Sequence, residues 1–135
     1  MALRVLVVDD SSVMRSIIVK SLRLSGIELE SVREAKNGQE GLDAIGSGPV
    51  DLALVDINMP VMTGDEMIRR LKEGPHAATV KVIVVSSDHT EARLEQLRAA
   101  GVPIIHKPFN PNQLRELIIE LTGATYVDNA HEQSF

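Results

Sequence analysis

At 135 residues, 44% of them apolar and with a net charge of −5, the chain is sized for one packed domain and lacks the basic footprint of a nucleic-acid binder. Two Phe, one Tyr and no Trp leave no aromatic platform for stacking bases, and the absence of Cys excludes disulfides and thiolate chemistry. No apolar run approaches a membrane span and Met1-Ala2-Leu3-Arg4 leads straight into a strand-like segment with no signal peptide, so a cytoplasmic protein is expected.

Short apolar runs alternate with amphipathic stretches along the chain. Residues 3–8 read as a buried strand. Residues 12–25 read as a helix, with Ser11 or Ser12 as N-cap and Gly26 just past the end. Residues 29–35 alternate loosely and carry charge, as an edge strand does. Asn37 and Glu40 have capping-box spacing and open a short helix to about Ile45, followed by a Gly46-Ser47-Gly48-Pro49 turn. Residues 51–55 are a third strand, stopping at Asp56. Residues 57–63 hold Pro60 and form a loop. Residues 64–73 are a helix with Met67, Ile68 and Leu71 on one face. Residues 80–85 are a fourth strand, and residues 90–100 a helix capped by Thr90 and ended by Gly101. Residues 103–106 are a short fifth strand. Residues 110–122 are the last helix, with Leu114, Leu117, Ile118 and Leu121 at i, i+3, i+4 and i+7. Residues 123–135 are polar and aperiodic and read as a frayed C-terminal tail outside a domain of residues 1–122.

Five β–α units with short connections predict an α/β fold, a doubly wound five-stranded parallel sheet of flavodoxin-like (βα)5 type with strand order 2-1-3-4-5. In such sheets ligands bind outside the carboxyl ends of the strands, where strands 1 and 3 part. Those ends carry Asp9-Asp10, Asp56, Ser86-Ser87 and Lys107-Pro108. Singly, each has a structural explanation: an Asp pair caps a helix, a serine leads into the next helix, a lysine is a solvated charge. Together, the acids, a hydroxyl and a lysine meet at the end the fold selects for ligands. Clustered carboxylates repel, and a hard divalent ion, Mg²⁺, Mn²⁺ or Ca²⁺, is the natural compensation. Lys107 could hold an anionic oxygen and Ser86 could donate to another, an arrangement suited to a phosphoryl group.

The segments Val7-Val8-Asp9-Asp10-Ser11-Ser12, Asp56-Ile57-Asn58-Met59-Pro60-Val61-Met62-Thr63-Gly64, Val84-Val85-Ser86-Ser87 and His106-Lys107-Pro108-Phe109 resemble the receiver domains of two-component response regulators, the CheY-like family, from about Leu3 to Leu121. The resemblance implies that Asp56 is the phosphoacceptor. It implies that Asp10 ligates Mg²⁺ directly, that Asp9 holds a metal-bound water, and that the backbone carbonyl of Asn58 completes the protein ligands. It gives Lys107 and Ser86 to the phosphoryl oxygens, and a cis peptide to Lys107-Pro108. The implied partners are a sensor histidine kinase or histidine phosphotransfer protein and a downstream protein target. No nucleic acid or membrane is engaged directly, and the chain is a monomer or weak dimer. The implied output is a change in the face formed by the fourth helix, fifth strand and fifth helix.

This chain departs from many members at Ile104, where an aromatic residue is common, and at Ser87, where Ala or Gly is frequent. Asn58 and Asp88 stand at positions that in the family tune loss of the phosphoryl group, and their polarity points to a short-lived signal. The start at Met1 and the polar tail favour a stand-alone regulator, with chemotaxis or motility the expected setting. Two other functions fit parts of the pattern: a phosphatase or phosphotransferase of the haloacid-dehalogenase type, and a pseudo-receiver that only binds proteins or a flavin. The first needs an acid at position 58, where this chain has Asn; the second leaves the acids, hydroxyl and lysine without a task. His76, His89, His106 and His131 lack metal-ligand spacing, and Met14, Met59, Met62 and Met67 read as packing residues.

Overall fold

The computed structural model describes residues 2–87 and 91–127, and the structural statements concern these. Ten elements alternate along the chain: β1 Leu3–Val8, α1 Ser12–Leu24, β2 Leu29–Ala35, α2 Gly38–Ser47, β3 Leu52–Val55, α3 Gly64–Glu73, β4 Lys81–Ser86, α4 Glu91–Ala99, β5 Ile104–His106 and α5 Pro111–Thr122. The strands form one parallel sheet in the order β2-β1-β3-β4-β5.

The side-chain alternation of the inner strands divides the core in two. Leu3, Val5 and Val7 of β1, Leu52 and Leu54 of β3, and Ile83 and Val85 of β4 pack with Ile18, Leu22, Leu114 and Ile118 of α1 and α5. Leu6, Val8, Ala53, Val55, Val82 and Val84 point the other way, onto Ile45, Met67, Ile68, Leu71, Leu94 and Leu97 of α2, α3 and α4. Helices on both faces leave β1, β3 and β4 no solvent side, which is why these strands read as continuous apolar runs. Each fully buried Leu or Ile contributes roughly 1.5–3 kcal/mol. Met59, Met62 and Met67 are core residues and Met14 packs against the α1–α5 cluster.

Local chemistry sets the boundaries. Ser11 caps α1 by accepting from the Met14 N–H, and Asn110 and Gln113 form a reciprocal capping box at α5. At α2, Asn37 accepts from the Glu40 N–H, but the Glu40 carboxylate reaches the Lys36 N–H, one residue earlier than a capping box requires. α2 runs through Gly46 and Ser47, where the sequence suggested a turn. The Arg33 guanidinium donates to the carbonyls of Ala44 and Gly48, giving partners to one acceptor of the last turn and one just past it. β3 starts at Leu52, and the Asp51 carboxylate just before it accepts from the Arg4 backbone N–H and guanidinium.

The tail needs correction. Residues 124–127 do not fray: Ile27 and Tyr126 form an antiparallel bridge, Glu28 and Val127 donate backbone hydrogen bonds to Thr125 and Gly26, and Ala124 is buried. The Arg115 guanidinium lies 4.4 Å from the Tyr126 ring centroid. A single aromatic residue in a polar stretch carries too little periodicity to announce this docking. Thr90, expected to cap the fourth helix, lies outside the described residues, as do Asp88, His89 and residues 128–135. Among the described residues no helix is long and apolar enough to cross a membrane.

Candidate functional site

The site lies where β1 and β3 release the chain on the same side of the sheet. The Asp56 N–H donates to the Val8 carbonyl at 2.9 Å, which extends the β1–β3 ladder one residue past β3. On the other flank of β1 the Asp9 N–H donates to Ala35 at 3.1 Å. These bonds hold both acids level with the strand ends. One carboxylate oxygen from each of Asp9, Asp10 and Asp56 lies within 4.8 Å of the others, with Asp9 and Asp56 buried and Asp10 exposed.

Asp9 is held on both oxygens. Its Oδ1 accepts from the Ser11 N–H at 2.9 Å, a turn that launches α1, and its Oδ2 accepts from Lys107 Nζ at 3.2 Å. Arg15 Nη1 donates to the Asp9 carbonyl at 2.6 Å. Lys107 is delivered by its own backbone, whose N–H donates to the Ser86 carbonyl at 2.9 Å, and the Lys107-Pro108 peptide is cis. Its ammonium lies 3.8 Å from Asp56 Oδ1, which also accepts from the Ile57 N–H at 2.9 Å. Ser86 is fully buried at the end of β4, in register with His106, and Ser87 is exposed.

Burial pushes the Asp56 carboxyl above its ordinary value; the Lys107 charge pulls it down, the Asp9 charge raises it, the Ile57 N–H lowers it and the Asp10 charge raises it. Among the described residues the Lys107 ammonium pairs with Asp9 and lies near Asp56, one cation beside a cluster of three carboxylates. Hard oxygen donors with uncompensated charge fit a divalent cation such as Mg²⁺.

The sequence model of the response regulator receiver domain matches residues 5–119. The chain belongs to this receiver family. The two-component response regulator ORR5 of Oryza sativa subsp. japonica is 33% identical over 115 residues, 84% of each chain. A CheY-like receiver domain protein from Methanospirillum hungatei superposes with a TM-score of 0.74 at 32% identity, covering 89% of this chain and 93% of that one. Chemotaxis protein CheY4 of Vibrio cholerae gives 0.76 at 27% identity, covering 90% and 99%.

The receiver fold brings together the acids and the lysine singled out in the sequence and sets Ser86 on the adjacent strand end. Asn58 is exposed two residues past Asp56, and its side-chain Oδ1 accepts from Arg93 Nη1 at 2.8 Å. Ile104 sits half-buried against the α2–α4 side of the core, paired with Val84. Sequence reasoning missed two residues. Gly64 stands in the sequence only as the first residue of a helix, yet its N–H donates to Ile57 at 2.8 Å and a Cβ there would overlap the Asp56 carbonyl. Its proximity to Asp56 is tertiary. Arg93 reaches Asn58 from 35 positions away, a separation no local pattern reveals.

Proposed function

We propose that this receiver domain is a signalling switch that takes a phosphoryl group from a phosphohistidine onto Asp56. The observation that carries the reading is the convergence of Asp9, Asp10 and Asp56 with Lys107 at the strand ends. An Asp56 carboxylate oxygen attacks phosphorus and the donor N–P bond breaks. Its electron pair returns to the imidazole nitrogen, which takes up a proton. Asp9, Asp10, Asp56 and the backbone carbonyl of Asn58 would hold a Mg²⁺, which supplies charge neutralisation when bound. In this reading Lys107 would pair with a phosphoryl oxygen, and the Ser86 hydroxyl would donate to another. Positioning and charge neutralisation carry such transfers, and the chain's only chemistry in this reading is its own phosphorylation and dephosphorylation.

The donor has to approach beside Lys107. An apolar recess of about 430 Å³ lined by Met14, Ile17, Ser87, Lys107, Pro108 and Phe109 borders the site there. Val13 and Ile17 are exposed on the same helix. A phosphohistidine-bearing helix with an apolar flank is the occupant that fits, since the recess adjoins the lysine that would meet its phosphoryl group.

The output is a two-state equilibrium biased by the phosphoryl group and read by a downstream protein on the α4–β5–α5 face. A differential affinity of a few kcal/mol is enough to shift it. Ile104, half-buried in β5, would repack where relatives rotate an aromatic ring. In this reading the chain acts by itself, in the cytoplasm beside its kinase. The test is an amide NMR comparison of the protein in Mg²⁺ before and after acetyl phosphate. Shifts at residues 56–59 together with α4, β5 and α5 are expected. Shifts confined to the site, with those elements unchanged, would refute the switch face.

A further inference from the structure

We infer that Arg93 is a positioning residue for the phosphorylation site, bracing Asn58 and tying the start of α4 to the loop that follows Asp56. The inference rests on the proposed phosphoacceptor and Mg²⁺ site. Arg93 lies in the first turn of α4. Its Nε and Nη2 donate to Asp65 Oδ2 at 3.3 Å and Oδ1 at 2.9 Å, and its Nη1 donates to Asn58 Oδ1 at 2.8 Å. A planar guanidinium makes these bonds in a fixed relative geometry, which a lysine cannot reproduce.

Each anchor is itself fixed. Asp65 lies in the first turn of α3, behind the Thr63 cap. Burial opposes ionisation of Asp65, but hydrogen bonds from Arg93 and Thr63 win, holding its carboxyl below the usual range. The loop closes where Gly64 donates to Ile57 and presses on the Asp56 carbonyl. Asn58 stands at the exposed tip of that loop, two residues past the acceptor. Arg93 therefore grips the open side of a segment whose other side is fixed by Gly64.

The same contacts matter to α4. Among the described side chains of α4, only Leu94 and Leu97 are buried, so polar contacts at its first turn are a large part of its attachment. Asn58 is the residue whose backbone carbonyl the proposed metal site uses. A brace on its side chain limits rotation of that backbone and links metal binding to the helix at the proposed output face.

The test uses the unphosphorylated chain and its Arg93→Ala, Arg93→Lys and Asn58→Ala variants. Mg²⁺ is titrated while the backbone amides of residues 56–59 are followed by NMR, and hydrogen exchange of the α4 amides is measured without metal. Arg93→Ala is expected to weaken Mg²⁺ binding by about tenfold, the usual size for losing a residue that orients a ligand. Its α4 amides should exchange faster. Arg93→Lys should recover less than half of that loss, and Asn58→Ala combined with Arg93→Ala should lose no more affinity than either alone. Wild-type affinity in Arg93→Ala, or full rescue by Arg93→Lys, would overturn the brace while leaving the metal site standing. A wild-type chain that binds no Mg²⁺ would overturn the metal site and the brace with it.

Discussion

Replacing Asp56 by Asn should make the metal-free protein more stable, although it removes the residue on which the proposed function depends. Asp56 is buried and shares its cluster with Asp9 and Asp10, each with an oxygen within 4.8 Å. With an effective dielectric of about 20, a pair of like charges at that separation repels by roughly 3 kcal/mol, and the Lys107 contact at 3.8 Å returns about 4 kcal/mol. The attraction offsets one acid. The second acid, screened because Asp10 is exposed, and the desolvation of the carboxylate are left over, a net cost of about 1–3 kcal/mol. For a chain of this size that corresponds to roughly 3–9 °C in Tm. Because burial raises the Asp56 pKa in the folded state, the unmutated chain is favoured while the group is protonated and loses that advantage as pH rises through the raised value. The gap between Asp56→Asn and wild type should therefore be small near pH 4 and open towards neutrality. Thermal denaturation in EDTA across that range is the assay, with Mg²⁺ expected to raise the wild-type Tm more than that of the mutant. An Asp56→Asn protein less stable than wild type at neutral pH would refute the electrostatic reasoning.

Lys107→Ala should act in the opposite direction. It strips the buried Asp9 carboxylate of its cationic partner, so the apo protein should lose about 3 kcal/mol in denaturant titrations, partly restored by Mg²⁺. Gly64→Ala forces the loop away from the Asp56 carbonyl and should cost about 2 kcal/mol while slowing phosphorylation by acetyl phosphate. Val61 is exposed with φ of 68°, so Val61→Asn, which tolerates the left-handed region, should gain about 1 kcal/mol by differential scanning calorimetry. Ile17→Asp should slow transfer from a phosphohistidine protein by on the order of tenfold and leave acetyl phosphate turnover unchanged; equal slowing of both would remove the recess from the account.

The fold was legible because burial on both sides writes inner strands as unbroken apolar runs, as in β1, β3 and β4, and because the caps Ser11 and Asn37 announce helix starts. The convergence of Asp9, Asp10, Asp56 and Lys107 was legible because sheet topology selects the strand ends before any residue is inspected. What stayed hidden is tertiary. Arg33 prolongs α2 from a neighbouring strand, and the segment after α5 docks on residues 26–28 through backbone pairing that any polar sequence could make. The hydrogen bond from Lys107 to Asp9, with Asp56 at 3.8 Å, is a sharing among charges that composition does not encode. Arg93, on an exposed helix face, looks in sequence like any solvated arginine.

The most direct test of the central claim is the intact mass of the chain after incubation with acetyl phosphate, with Mg²⁺ and with EDTA, in wild type and Asp56→Asn. A gain of about 80 Da, the mass of one phosphoryl group, seen only in the wild type with Mg²⁺, is the predicted result. A folded wild-type chain with no adduct, or an Asp56→Asn chain with the same Mg²⁺-dependent adduct, would contradict it.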